Sequence, residues 1–387
     1  MANFLHFARV RHWTMRFAAC LSFIFIGARS PERASGEHKT LAIGSAAPDF
    51  HLLGVDGKTY SLSSFRDKQI LLIVFTCNHC PTAQAYEDRI IQLTKDYSGK
   101  SVGVVAIMPN DPSAIRLDEL GYTDMSDSYP EMKIRAREKH FNFPYLYDGG
   151  TQSTALAYGP IATPHAFIFD KERRLRYEGR IDNVEKPTKT PTRLDTRAAL
   201  DALLAGKPLP EATTKVFGCS IKWKEKSEWI EKAKQEWASE PVTLDSIGEA
   251  ALKELVRNHT DSLLLINVWA TWCGPCVVEF PDLVNINRMY RRRSFEFISI
   301  SADDPENKDK ALRFLKKEEA SNTNYIFNSD DKYKLIDAID PKWQGALPYT
   351  MVVEPGGKLI YAKQGAIDPQ ELKKDIVNDS VIGRYYP

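Results

Sequence analysis

Neither sign of charge dominates this 387-residue chain: 52 Lys and Arg stand against 51 Asp and Glu, for a net charge of +1. That balance offers nothing to nucleic acid or to a strongly acidic partner. The basic clusters Arg291-Arg292-Arg293 and residues 171–176 read as solvated faces. Short-period repeats and low-complexity stretches are lacking, which leaves ordinary globular domains. The apolar run at residues 17–27 (FAACLSFIFIG) falls short of the roughly 20 residues that span a bilayer. Cysteine is sparse, with six in all: Cys20, Cys77, Cys80, Cys219, Cys273 and Cys276.

Arg9, Arg11, His12 and Arg16 precede the apolar run and polar residues follow it. This is the layout of a secretory leader over residues 1–36, with Met15 as an alternative start and Ala34-Ser35-Gly36 as small residues at a cleavage spacing. An uncleaved membrane anchor is the alternative. Cys20 lacks the preceding apolar run that lipidation needs. Export to the periplasm or another extracytoplasmic space is the expectation, and disulfides persist there. Removing the leader leaves five cysteines, of which Cys219 is the unpaired one.

Four of the cysteines form two motifs, Cys77-Asn78-His79-Cys80 and Cys273-Gly274-Pro275-Cys276. Each follows a continuous apolar run, residues 69–75 and 263–270, as expected of a buried central strand. Each is followed by a helical pattern. A Cys-x-x-Cys pair between strand and helix reads as a thioredoxin-like redox centre. The fold class is therefore α/β, two thioredoxin-like domains, each a central mixed sheet flanked by helices. The first spans residues 41–218, a helical linker 219–240, and the second 241–387. Residues 111–140 read as a polar insertion in the first domain. Residues 222–237 read as a charged amphipathic helix that bridges the halves.

The order of residues explains the chemistry of the second motif. Cys273 at a helix N-terminus has free N–H groups and the helix dipole to stabilise a thiolate. Cys276, one turn on, can attack a mixed disulfide and release product. Glu279 lies three residues further along the same face. The stretch from Trp269 to Cys276 with Val277-Val278-Glu279-Phe280-Pro281 resembles the TlpA/ResA group of thiol–disulfide oxidoreductases. The resemblance implies that Glu279 handles the proton of Cys276, and Asn267 stands where thioredoxins place an aspartate. It also implies that Pro348 is a cis-proline facing the dithiol and offering backbone to the substrate chain. Trp269 and Trp272 are expected mainly to pack the core, with shielding of the dithiol as the alternative.

The first motif is similar to the peroxiredoxin-like redoxins of the AhpC/TSA superfamily. The residues that carry this are Phe75-Thr76-Cys77-Asn78-His79-Cys80-Pro81, Ala162-Thr163-Pro164, residues 177–182 and residues 218–223. In that family Cys80 would be the peroxidatic thiol and Pro164 the matching cis-proline, but Cys77 replaces the peroxide-binding threonine. The retained pair favours disulfide exchange. His79 is expected to stabilise a Cys77 thiolate, as in DsbA-like dithiols. The thioredoxin and DsbA extremes differ by about 150 mV, so electron flow from the second dithiol to the first is the expected direction. Cys219 reads either as a resolving thiol or as a buried bystander, and Arg180 as a surface arginine rather than a thiolate partner.

These readings converge on an exported enzyme exchanging disulfides with protein thiols and disulfides, fed by an upstream thiol reductant. It needs no organic cofactor or metal. A thiol peroxidase using Cys80, with the second domain as reductant and an antioxidant role, is the first alternative. A metal-binding or metallochaperone module on Cys77, His79 and Cys80, with Cys219 nearby, is the second.

Overall fold

The computed structural model describes residues 38–186 and 189–384. The leader and Cys20 lie outside the described residues. Among the described residues no helix is long and apolar enough to cross a membrane.

The first half contributes strands β1 (Leu52–Gly54), β2 (Thr59–Tyr60), β3 (Ile70–Phe75), β4 (Val102–Met108) and β5 (Tyr145–Tyr147). After β6 (Ala162–Thr163) come β7 (His165–Phe169), β8 (Leu175–Gly179) and β9 (Cys219–Ser220). Its helices are α1 (Pro81–Asp96), α2 (Tyr129–Glu138), α3 (Ser153–Tyr158) and α4 (Asp195–Leu204). Seven strands form one mixed sheet in the order β2-β1-β5-β4-β3-β7-β8. Every residue of β3 is buried. Such an unbroken apolar strand fits only the middle of a sheet covered on both faces. It pairs in parallel with β4 and antiparallel with β7.

The second half follows α5 (Ser227–Ala238), with strands β10 (Asp245–Ile247), β11 (Leu263–Trp269), β12 (Phe295–Ser301), β13 (Thr323–Phe327), β14 (Tyr349–Val353) and β15 (Leu359–Gln364). Its helices are α6 (Glu249–Val256), α7 (Gly274–Tyr290), α8 (Lys308–Lys317), α9 (Lys332–Ile339) and α10 (Pro369–Asn378). The sheet order β10-β13-β12-β11-β14-β15 repeats the plan of the first half. Again the central strand, β11, is wholly buried, between parallel β12 and antiparallel β14. Both dithiol motifs thus leave the carboxyl end of a central strand, the edge where open α/β sheets collect their ligands.

The segment between β4 and β5 differs from a plain polar insertion. Its 3-10 turn Leu117–Leu120 packs on α7, and Ile115 and Leu120 are buried in the same apolar cluster as Phe280, Leu283 and Met289. Gly121 is needed at this contact, because a Cβ there would lie 2.9 Å from the Met289 carbonyl. Polar bonds close the same seam: Tyr290 Oη donates to the Thr123 carbonyl at 2.8 Å, and Arg384 donates to Asp124 Oδ1 at 2.8 Å. The bridging helix starts at Ser227 rather than 222. Ahead of it, Ile221 and Trp223 are buried in the core of the first half. This part of the expected linker is therefore bound rather than free.

Candidate active site

Cys273 caps the N-terminus of α7 in an extended conformation, with Pro275 in the first turn, where its missing N–H leaves no helical bond unmade. Cys273 and Cys276 are joined as a disulfide, and the Cys276 N–H points at Cys273 Sγ at 3.3 Å. Both sulfur-bearing residues are buried, whereas Trp272 beside them is 65% exposed. Trp269 is fully buried against Phe280 and Phe314. The two tryptophans therefore part company: Trp269 packs the core and Trp272 faces solvent at the mouth of the dithiol.

One turn beyond Cys276, Glu279 is buried rather than solvent-facing. Its Oε2 accepts the Ile367 N–H at 2.8 Å and its Oε1 accepts Asn267 Nδ2 at 3.2 Å. Burial pushes its pKa up, against the opposing pull of those two donors. Asn267 also donates to Thr350 Oγ1 at 2.9 Å, which ties the carboxylate to β14. The Leu347–Pro348 peptide is cis, and Leu347 packs on the apolar cluster that contains Cys273 and Cys276.

The first motif has a denser polar setting. Cys80 caps α1 ahead of Pro81. The Thr163–Pro164 peptide is cis. Cys77 Sγ lies 3.1 Å from Thr163 Oγ1, and Cys80 Sγ lies 3.4 Å from the Thr163 carbonyl. Cys77, His79 and Cys80 are all buried. His79 does not face solvent: its Nδ1 meets Asp127 Oδ2 at 2.6 Å. Asp127 Oδ1 accepts the N–H groups of Asn78 and His79, and Oδ2 also takes Asn110 Nδ2 at 2.7 Å. Burial works against both charges. The Asp127 carboxylate nonetheless raises the pKa of His79, and His79 with its co-donors lowers that of Asp127.

The surroundings favour the charged form of a different cysteine from the one expected. Burial opposes ionisation of Cys80, but the Cys219 and Cys77 thiols, the His79 charge and the Ala83 N–H outweigh it and carry its pKa well down. Cys77 is pushed well up, chiefly by burial and by donating to Cys80. His79 therefore supports Cys80 rather than Cys77. Cys219, part-exposed, sits beside Cys80, and its N–H points at Cys80 Sγ at 3.3 Å. Arg180 is engaged elsewhere, with Nε 2.7 Å from Asp195 Oδ2.

Asp127 was hidden from sequence reasoning, since it lies 48 residues from His79 in the polar segment between β4 and β5. Its only local signal is its position before the Ser128 cap of α2. For a metal, the ligand atoms of Cys77, His79 and Asp127 lie within 4.8 Å of one another, so the cluster includes Asp127 and leaves out Cys80 and Cys219. The donor set fits poorly, because the facing oxygen of Asp127 is already spent on His79 and Asn110.

The family profile described as Redoxin matches residues 42–196 and again 233–379. Among curated proteins, the thiol-disulfide oxidoreductase ResA of Bacillus subtilis is 27% identical over 104 residues, which is 27% of this chain and 54% of that protein. The thioredoxin-like protein CITRX of Oryza sativa is 30% identical over 103 residues, 26% of this chain and 48% of that protein. The chain spans about half the length of these curated relatives. An uncharacterized conserved protein from Geobacillus kaustophilus, of solved structure, is 38% identical, covering 48% of this chain and 94% of its own, at a TM-score of 0.43. A hypothetical protein from Sinorhizobium meliloti gives 34%, 48%, 97% and 0.43. Two matched segments that account for most of its length make this chain a member of the Redoxin family, with the redoxin unit present twice.

Proposed function

We propose that the chain is a thiol–disulfide oxidoreductase acting on protein thiols and disulfides, with Cys273 as attacking thiol and Cys276 as resolving thiol. The observation that carries this reading is the buried Glu279 carboxylate one helical turn behind the Cys273–Cys276 pair. A base there takes the proton of Cys276 as that thiol attacks the mixed disulfide, and its raised pKa brings it closer to the operating range of a proton carrier. Cys276 then displaces the substrate thiolate from Cys273, the disulfide re-forms, and two electrons have passed to the substrate. Pro348 contacts the substrate backbone, and exposed Trp272 lines the approach. The cysteines carry the electrons, so no organic cofactor or metal takes part.

The Cys77–Cys80 pair is the second redox centre in this reading, with Cys80 as its thiolate, His79 and Asp127 tuning it, and Pro164 beside it. An upstream thiol reductant feeds the second centre, and the pair in the first half receives electrons from it. Export rests on the basic and apolar leader, with an N-terminal anchor as its alternative form. The domain boundaries at residues 218 and 241 belong to the same reading.

Reduced protein should cleave the disulfides of a linked-peptide substrate, and Cys273→Ser should abolish this. Full turnover by Cys273→Ser would defeat the assignment. The position of Cys80 at the start of α1, where thiolate is favoured, supports the peroxidase reading as the second choice. Hydroperoxide consumption that is lost in Cys80→Ser and also depends on Cys273 would install it in first place.

A further inference from the structure

Cys80 has two thiol neighbours, not one. Cys77 approaches it from the turn ahead of α1. Cys219 approaches from β9, its N–H pointing at Cys80 Sγ at 3.3 Å. This juxtaposition is built by the backbone. Strand β9 pairs antiparallel with β6, Thr163 opposite Cys219 and Ala162 opposite Ser220. Gly218 has a φ of +136°, and a Cβ there would fall 2.0 Å from the Thr163 carbonyl, so only glycine lets the strand come this close. On the other side, the Lys222 N–H donates to Asn110 Oδ1 at 2.9 Å, and Ile221 is buried. Cys219 is thus clamped at both ends of its strand, against the sulfur of Cys80.

The three thiols differ in access. Cys77 and Cys80 are buried, while Cys219 is part-exposed. A cavity of about 350 Å³ is lined by Cys219, His79, Pro81 and Lys222, among others, but by neither Cys77 nor Cys80. A cavity of this size admits a small molecule and not a folded protein.

We propose that Cys219 is the third redox thiol of the first centre and its port to solution: a small disulfide or thiol exchanges at Cys219, and Cys80 is shared between two alternative disulfides, one with Cys219 and one with Cys77. The proposal rests on the dithiol reading of the first centre. In the oxidative direction the Cys219 thiol attacks a small disulfide RSSR, its proton passing to the departing RS⁻. The Cys80 thiolate then attacks Cys219 Sγ of the mixed disulfide, forming the Cys80–Cys219 bond and expelling the second RS⁻. Cys77 next loses its proton to that RS⁻ and attacks Cys80, which leaves Cys77–Cys80 as the disulfide and returns Cys219 as a thiolate that takes up a proton from solvent. The small disulfide has gained two electrons from Cys77 and Cys80 and two protons, one from Cys77 and one that solvent supplies through Cys219 in place of the proton Cys80 had already released. Reduction runs the same steps backwards, with Cys80, whose thiolate is stabilised, as the good leaving group.

The test uses the full chain, with disulfides mapped by alkylation, digestion and mass spectrometry after treatment with glutathione disulfide. In Cys77→Ser, and in Cys77→Ala as a second variant, a Cys80–Cys219 linked peptide should accumulate. In Cys219→Ser, oxidation of Cys77 and Cys80 by glutathione disulfide should slow about tenfold or more. Normal oxidation of Cys273–Cys276 in each variant serves as the control for folding. Cys80 and Cys219 both recovered as thiols in the two Cys77 variants, or wild-type oxidation rates in Cys219→Ser, would overturn the proposal. If the wild-type chain forms no Cys77–Cys80 disulfide, the dithiol reading falls and the relay falls with it. If it forms that bond while the Cys77 variants form no link to Cys219, only the role of Cys219 is lost.

Discussion

His79 Nδ1 and Asp127 Oδ2 meet at 2.6 Å in the buried wall of the first centre, and the same carboxylate receives the backbone N–H groups of Asn78 and His79. One side chain therefore holds the turn of the motif and favours the charged form of the imidazole next to Cys80. Replacing Asp127 with Asn removes the charge that favours the protonated form of His79. The pKa of His79 should fall and that of Cys80 should rise, since His79 is one of the groups favouring its thiolate. Thiolate absorbance followed against pH, with Cys80→Ser as the blank, reads this directly. An unchanged titration would mean that the thiolate depends on the neighbouring thiols alone.

The same pair makes stability depend on pH. His79 is held above its ordinary value of 6.5, so its contribution is fully present below that pH and is lost as pH rises through its folded pKa. Asp127 is held below its ordinary 3.8, so its contribution is present above that pH and is lost as pH falls through its folded pKa. The contribution of the pair is thus greatest between those ordinary values. Denaturant unfolding at about pH 5 and about pH 9 should show a larger drop for the native chain than for Asp127→Asn. Equal drops would remove the pair from the stability of this half.

Glu279→Gln keeps the volume of the side chain and removes its proton chemistry. Resolution of the mixed disulfide at Cys276 should slow by about 10²-fold, in the range of a positioned general base. The rate in the native chain should climb through the raised pKa of Glu279 as the carboxylate forms, and the variant should lack that limb. A variant whose profile still shows the limb would assign it to another group.

The two tryptophans of the second motif should respond in opposite ways. Trp269→Ala empties a fully buried site and should cost about 3–5 kcal/mol. Trp272→Ala should change stability by no more than about 0.5 kcal/mol, because its ring faces solvent. It should instead weaken turnover of peptide disulfides. Urea unfolding and a peptide-reduction assay on both variants separate the two roles.

Arg135 and Glu87 form a buried two-pronged ion pair at 2.7 Å in each arm, joining α2 to α1 beside the first centre. Arg135→Ala leaves the buried carboxylate with only the more distant Lys139, 4.0 Å away, and should cost about 3 kcal/mol. Lowering the pH until Glu87 is protonated should return part of that loss. A loss that does not change with pH would point to packing rather than charge.

What sequence alone determined is the part of this protein that is local or periodic. The apolar runs of β3 and β11 are too continuous for anything but central strands, and each must end where a Cys-x-x-Cys opens a helix. The spacing from Cys276 to Glu279 needs only the 3.6-residue turn to put a carboxylate behind the dithiol. Tertiary structure decided what depends on residues far apart in the chain. Asp127 reaches His79, and Cys219 reaches Cys80, only because the sheet and the β6–β9 ladder bring distant segments together. No periodicity marks such single contacts in advance. The polar stretch between β4 and β5 shows the same limit: its few apolar residues, Ile115, Leu117 and Leu120, are too scattered to signal a packed element. They become a docking face only when α7 is present to cover them. Which of two cysteines has the surroundings that favour a thiolate was also beyond sequence, because it turns on which sulfur the surrounding donors converge upon, and here that sulfur is Cys80.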